Sequence, residues 1–220
     1  MSDLLDKLYE DLPDGGRADS QDSAAVDVHC GHGASVYGEI TPGGASRLLR
    51  WLKPGKDDVF LDCGSGRGRL VLQTHLETDV GLAVGVEVHG ARHRVAVEAW
   101  RRLSVLMAGA SAARGRVAFH HRDFRDFDPR EVTLVYAGSL CFPPELMGAL
   151  GTLCLRAPRF RLLCTLKPLP GAMVRCFHHR GHVKLDMSWG AGTRLYVYGA
   201  RPRGRLFSSH LKSQIGDRGK

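Results

Sequence analysis

The sequence predicts an α/β doubly wound sheet of seven strands that closes with an antiparallel hairpin. Three observations carry this. Short apolar runs alternate with helical stretches from about residue 41 to residue 166. The first run, Val59-Phe60-Leu61-Asp62-Cys63, enters a glycine-rich turn, Gly64-Ser65-Gly66-Arg67-Gly68. The last two runs follow one another with no helical stretch between them. At 220 residues and 24.1 kDa the chain suits one such domain. Its 43% hydrophobic and 25% charged residues are ordinary for a globular protein. Wholesale disorder, a collagen-like fibre and a coiled coil are excluded, and no run of about 18 apolar residues predicts a membrane helix.

The elements follow in order. Leu4, Leu5 and Leu8 suit one short amphipathic helix, and Asp11 to Ser35 reads as a flexible lead-in. Thr41-Pro42 is an N-cap followed by proline at the first helical position, and Leu48, Leu49 and Leu52 give that helix a face ending near Pro54-Gly55. Val59–Cys63 is the first strand; a helix continues from Leu70 to Thr78. Leu82–Glu87 is the second strand. His89–Met107 is a long helix with Val95, Ala99, Leu103 and Leu106 on one stripe. Val117–His121 and Val132–Ala137 are strands, Pro144–Leu153 a helix and Phe160–Leu166 a strand. His120 and His121 are expected to alternate across the sheet. Gly181–Trp189 and Arg194–Arg201 form the hairpin, with Leu195 and Val197 alternating against Tyr196 and Tyr198. Right-handed crossovers put the tips of the first, second and fourth strands on one edge, where ligands bind. Three regions result: an acidic flexible segment 1–35, a domain 36–200 and a basic tail 201–220.

The formal net charge of +8 is unevenly spread. Residues 1–27 carry −6, residues 201–220 carry +5, and the middle carries +9. A basic balance suits an acidic partner such as nucleic acid or a nucleic-acid assembly, although 24 Arg against 7 Lys is equally compatible with an arginine-rich coding bias. The tail, with Arg201, Arg203, Arg205, Lys212, Arg218 and Lys220, is either a solvated end or a set of phosphate contacts. The acidic start has no apolar segment after it, so no secretory leader is expected and the chain reads as intracellular. Six cysteines with no Cys-x-x-Cys pair are read as buried thiols of a reducing compartment. Cys176, His178, His179 and His182 crowd the loop before the hairpin but match no standard zinc spacing, and no metal is expected.

Chemistry concentrates at strand ends. Glycines after the first strand let a ligand approach the backbone without Cβ clashes. Glu87 ends the second strand, 19 residues beyond Gly68, and can accept both hydroxyls of a ribose. Asp123-Phe124 follows the third strand and can accept from an adenine amine and stack on its ring. Nicotinamide cofactors share this ribose recognition. Asp62, placed before the glycines where it can hold an amino group, and the closing strand pair favour S-adenosylmethionine. Tyr136 and Tyr198 read as strand aromatics, and Lys167-Pro168 as a solvent-facing turn.

Val36-Tyr37-Gly38-Glu39, joined to Asp58–Gly66 and to Leu70-Val71-Leu72-Gln73, resembles the disruptor-of-telomeric-silencing (DOT1-like) family of non-SET histone-lysine N-methyltransferases. The likeness continues through Cys141-Phe142-Pro143-Pro144-Glu145-Leu146, Leu166-Lys167-Pro168-Leu169, and Ser188-Trp189 with Tyr196 seven residues on. It covers about residues 36–200 and implies a class I, Rossmann-like S-adenosylmethionine-dependent fold. It also implies methylation of a lysine in the globular core of histone H3 within nucleosomes, in the nucleus, by a monomer with no membrane association. Residue by residue, it implies that Tyr37, Gly38, Glu39 and Thr41 close over the methionine part of the cofactor. Asp62, Gly64, Ser65 and Gly66 would form the loop beneath it. Glu87 would hold the ribose, Asp123 and Phe124 the adenine. Phe142 and Tyr196 would line the lysine channel. Three departures stand out. The asparagine usual after the fourth strand is replaced within Ala137-Gly138-Ser139-Leu140, where Ser139 is the nearest polar substitute. A glutamine expected after the glycine turn is Arg69. Only 35 residues precede the Val36 motif, where the family carries a helical lobe.

Overall fold

A computed structural model describes residues 2–14, 20–108 and 115–201 of the 220. Its elements are α1 (Ser2–Tyr9), α2 (Ser20–Cys30), α3 (Pro42–Leu52), β1 (Val59–Cys63), α4 (Arg69–Glu77), β2 (Leu82–Glu87), α5 (Gly90–Met107), β3 (Arg116–His121), β4 (Leu134–Ala137), α6 (Pro144–Arg156), β5 (Leu162–Thr165), α7 (Gly171–Val174), β6 (Phe177–Met187) and β7 (Gly190–Ala200). The strands form one sheet in the order β3-β2-β1-β4-β5-β7-β6. β1 to β5 run parallel; β7 lies antiparallel between β5 and β6. The strand order reverses between β1 and β4, the place where an open α/β sheet parts its loops and leaves a crevice. Among the described residues no helix is long and apolar enough to cross a membrane.

The central strands β1, β2, β4 and β5 are buried on both faces, so successive residues feed two cores. Leu61, Cys63, Val84, Val86, Val135 and Leu163 face one with α6. Phe60, Ala83, Leu134, Tyr136 and Cys164 face the other with α3 and α4. A third cluster joins α1 to α4 and α5 through Leu5, Leu8, Tyr9, Leu72, Leu76, Val95 and Leu103. Thr41 caps α3 as expected: its Oγ1 accepts from the Gly44 amide at 3.1 Å.

The structure corrects several expectations. Helix α2 occupies much of the stretch read as flexible. Its one well-buried apolar residue, Val26, leaves no stripe for sequence periodicity to detect. Tertiary contacts hold it instead: Asp22 Oδ2 accepts from the Ala91 amide at the start of α5 (2.9 Å), and His29 Nε2 lies 2.9 Å from Asp123 Oδ2. Leu106 is exposed, because beyond Leu103 the face of α5 over α1 and α4 continues through Met107 and not through Leu106. β6 begins at Phe177, so His178 and His179 belong to the strand rather than to a loop before it. His121 stacks on His93 (5.2 Å) and His120 tilts against Phe127 (5.5 Å). Of the cysteines, Cys63, Cys154 and Cys164 are buried, whereas Cys30, Cys141 and Cys176 are half-buried. Beyond Arg201 the basic tail lies outside the described residues.

Candidate active site

After β1 the chain turns through Gly64, Gly66 and Gly68, all at positive φ. A Cβ on Gly66 would come within 2.5 Å of the Tyr37 ring, and one on Gly68 within 2.6 Å of Phe119. Only glycine permits both the backbone conformation and the approach. The turn is thereby fastened to the end of β2. The amides of Gly64 and Ser65 donate to the Val86 carbonyl at 2.8 and 3.1 Å. The Gly66 amide donates to Glu87 Oε2 at 2.7 Å, and Glu87 Oε1 accepts from the His89 amide at 2.7 Å. Burial raises the pKa of Glu87, opposed by these amide bonds and by the charge of Arg92.

The Tyr37-Gly38-Glu39 segment lies across this turn. The Tyr37 hydroxyl donates to Glu39 Oε1, and the Arg92 guanidinium sits 4.5 Å above the Tyr37 ring. Glu39 accepts from Arg67 Nε and Nη2 at 3.4 and 3.3 Å. Gly38 packs flat on Trp189, whose ring stands 2.3 Å from where a Cβ would be. The Glu39 amide donates to Ser188 Oγ at 3.1 Å and its carbonyl accepts from the Ser188 amide at 2.8 Å. Two motifs 149 residues apart in sequence are therefore one surface.

Beneath this segment runs a cleft with two adjoining lobes. The larger, about 240 Å³, is lined by Glu87, Asp123, Phe124, Leu140, Phe142 and Trp189, with Val26 and Cys30 of α2 on its far wall. The smaller, about 40 Å³, is lined by Glu39, Asp62, Ser65, Arg69, Leu70 and Tyr136. Tyr37, Gly38, Gly64 and Gly138 border both lobes. Together they approach the lower end of small-molecule sites, roughly 300 Å³. The Phe124 and Phe142 rings are parallel, 5.9 Å apart.

Two buried polar atoms here have no hydrogen-bond partner among the described residues: Asp62 Oδ1 and Ser65 Oγ. Orphaned groups at the floor of a cleft suit a polar ligand, since leaving them unmet costs about 1–3 kcal/mol each. Burial, reinforced by the charges of Glu87 and Glu39, raises the Asp62 pKa well above the usual aspartate value. Asp123 is different. Burial opposes its ionisation, but bonds from the Arg125 side chain (2.6 and 2.9 Å) and amide (2.7 Å) outweigh it and lower the pKa. His29, Cys30 and Asp123 also bring potential metal-ligand atoms within 4.8 Å of one another, with Arg125 already neutralising the carboxylate.

Not every expected residue reaches the cleft. Ser139 is fully buried, and its Oγ accepts from the amides of Leu166 (3.0 Å) and Lys167 (3.4 Å), so it ties β5 to the loop after β4 instead of facing a reacting group. Thr41 Oγ1 donates to the Asp186 carbonyl at 2.9 Å besides capping α3, and lines neither lobe. Tyr196 sits on β7 opposite Thr165 and His182, outside both lobes, with Arg194 6.0 Å over its ring. Lys167 does not simply face solvent: Nζ donates to the Phe142 carbonyl at 2.9 Å. Sequence reasoning missed Arg92, which joins Tyr37 to the Ser35 carbonyl (2.7 Å), and the α2 wall. The available signal was its spacing: Arg92 lies three residues before Val95 and seven before Ala99, a charge on the apolar stripe of α5.

The sheet order, with an antiparallel strand inserted before the edge and a glycine turn at the switch point, defines a class I S-adenosylmethionine-dependent methyltransferase. Solved structures share the fold. An RNA methyltransferase from Salinibacter ruber in complex with S-adenosyl-L-homocysteine is 20% identical over 73% of this chain and 94% of that chain (TM-score 0.50). Magnesium protoporphyrin IX methyltransferase from Synechocystis is 14% identical over 90% and 94% (0.54). Geranyl diphosphate C-methyltransferase from Streptomyces coelicolor is 16% identical over 73% and 78% (0.51). No curated protein matches the sequence significantly. The family model described as histone methylation protein DOT1 matches residues 23–161, and the chain belongs to that family. Its cofactor is S-adenosylmethionine.

Proposed function

We propose that the chain is a histone-lysine N-methyltransferase that methylates a lysine in the globular core of histone H3 within nucleosomes, and works in the nucleus. The observation that carries this reading is the family match over residues 23–161, which takes in the Tyr37-Gly38-Glu39 segment and the glycine turn it covers. The orphaned oxygens of Asp62 and Ser65 fit the amino-acid end of the cofactor. Glu87 would meet the ribose through the lone pairs its two amide bonds leave free, and Asp123 with Phe124 would hold the adenine. Bound S-adenosylmethionine supplies an electrophilic methyl on a sulfonium, open to in-line displacement.

The chain's own work is alignment and desolvation. An incoming lysine must shed a proton before its nitrogen has a lone pair. The mouth of the larger lobe presents Val36, Leu140, Phe142 and Trp189, a mostly apolar rim. Such a rim disfavours the ammonium and lowers the amine pKa. No side chain of Gly138–Phe142 offers the cleft a strong hydrogen-bonding group: Gly138 has none, Ser139 turns away, and Leu140, Cys141 and Phe142 line the wall. That observation favours a second reading, a cofactor-binding chromatin module without turnover. A third reading is a protein-lysine methyltransferase with a non-histone target.

Incubation with methyl-labelled cofactor and nucleosomes, free histones or total cell protein separates the three. Label on nucleosomal H3 is the expected result. Label only on another protein selects the non-histone reading. Cofactor binding with no label selects the non-catalytic module.

A further inference from the structure

Helix α1 lies outside the residues matched by the family model, yet it contacts the cofactor turn. Tyr9, buried at the helix end, donates its hydroxyl to the Arg67 carbonyl at 2.8 Å. Its ring carries two guanidinium groups, Arg67 at 5.3 Å and Arg69 at 4.9 Å. Both arginines reach on to Glu39, which receives the Tyr37 hydroxyl. The same helix holds Arg69 through Asp6 (2.5 Å), and the chain just after it holds Arg67 Nη1 through the Pro13 carbonyl (3.2 Å). The brace is itself anchored: Leu5 and Leu8 are buried against α4 and α5, and Arg102 donates to the Leu8 carbonyl at 3.2 Å.

We propose that Tyr9 is a positioning residue for cofactor binding, fixing the Gly64–Gly68 turn from behind and, through Arg67, Arg69 and Glu39, the Tyr37 segment in front. The physical argument is one of preorganisation. Arg67 is the residue between two glycines, so its carbonyl direction is set by little local steric restraint. A buried hydroxyl from a separately packed helix supplies that restraint. Cation–π contacts and the shared carboxylate pass it to the segment that covers the cleft. Without the brace, the turn and the Tyr37 segment must be ordered by the ligand itself, and binding weakens by that ordering cost. This inference does not depend on which protein carries the acceptor lysine.

Tyr9→Phe keeps the buried ring and both guanidinium contacts and removes only the hydroxyl. Loss of one hydrogen bond predicts about a fivefold rise in the cofactor KM and in the Kd for S-adenosylhomocysteine by calorimetry, with kcat within about twofold. Leu5→Ala is the companion variant: it loosens the packing that anchors α1, so it should lower Tm and also raise KM and Kd, and unchanged values in the folded variant would count against the brace. An unchanged KM and Kd in folded Tyr9→Phe would overturn the proposal and leave α1 as packing alone. Asp6→Ala, at an exposed side chain, carries the test if Tyr9→Phe does not fold. A KM and Kd raised about twofold supports the brace; unchanged values overturn it.

Discussion

Asp62 is held away from the ordinary aspartate state by burial and by the charges of Glu87 and Glu39. Its raised pKa means that the folded protein prefers the neutral carboxyl. The resulting stability is fully present below the unfolded pKa of about 4 and is lost as pH rises through the folded value. Asp62→Asn is neutral at every pH, so without cofactor the wild type should lose Tm relative to Asp62→Asn as pH rises across that interval. Cofactor binding should run the other way. An ammonium needs the ionised carboxylate, so wild-type affinity falls as pH is lowered through the raised pKa. Asp62→Asn should bind S-adenosylhomocysteine about ten- to hundredfold more weakly, with little pH dependence over the same interval. Calorimetry across that range checks both signs. Parallel titration curves would remove Asp62 from the ligand's amino group.

The elements around the cleft divide into those that shape it and those that hold it shut. The glycine turn shapes it. Gly66→Ala forces a side chain into positive φ and against Tyr37, so it should cost about 1–2 kcal/mol for the conformation alone and raise the cofactor KM by more than tenfold. Unchanged kinetics would show that the Tyr37 ring can swing clear. α2 contributes part of the wall. Its contact with α5 runs through Asp22, which accepts from the Ala91 amide in place of a local cap, because His89 at the α5 N-cap makes no side-chain capping bond. Asp22→Ala should cost about 1 kcal/mol in urea unfolding. A loss below about 0.3 kcal/mol would mean that Val26 and His29 suffice to hold α2.

At the scale of the whole molecule, helices on both faces of one sheet keep the strand tips aligned. Leu103 is fully buried where α1, α4 and α5 meet, and Leu103→Ala should cost about 2–5 kcal/mol and lower Tm by several degrees. Because that cluster also anchors α1, the same variant should weaken cofactor binding below its melting temperature. A net charge of +8 gives a test of the proposed acceptor. If nucleosomes are the substrate, their KM should rise steeply between about 50 and 200 mM salt while the cofactor KM moves little. Equal salt dependence for both would point to a general effect on the fold.

Much of this was legible in the chain itself. Val59–Cys63 and Leu82–Glu87 are runs of buried residues bounded by turn residues, and the observed strands coincide with them. The Thr41-Pro42 cap and the glycine turn were equally local, because caps and positive-φ positions depend on residue type within a few positions. Family likeness singled out both Tyr37-Gly38-Glu39 and the far Ser188-Trp189, but their joining appears only in the fold. What local pattern could not supply was the use made of each polar atom. Ser139 is expected near the reacting methyl and Thr41 over the methionine part of the cofactor, but the fold engages both oxygens with backbone groups of distant segments. α2 has almost no amphipathic stripe, so its helix depends on what Asp22, Val26 and His29 meet across the molecule. Tyr9 carries no signal of its own in the sequence, and only the packing of α1 against α4 and α5 brings its hydroxyl to the back of the glycine turn. Periodicity and residue type decide where strands, turns and caps form. Which hydrogen bonds remain free for a ligand is decided when segments far apart in sequence are brought together.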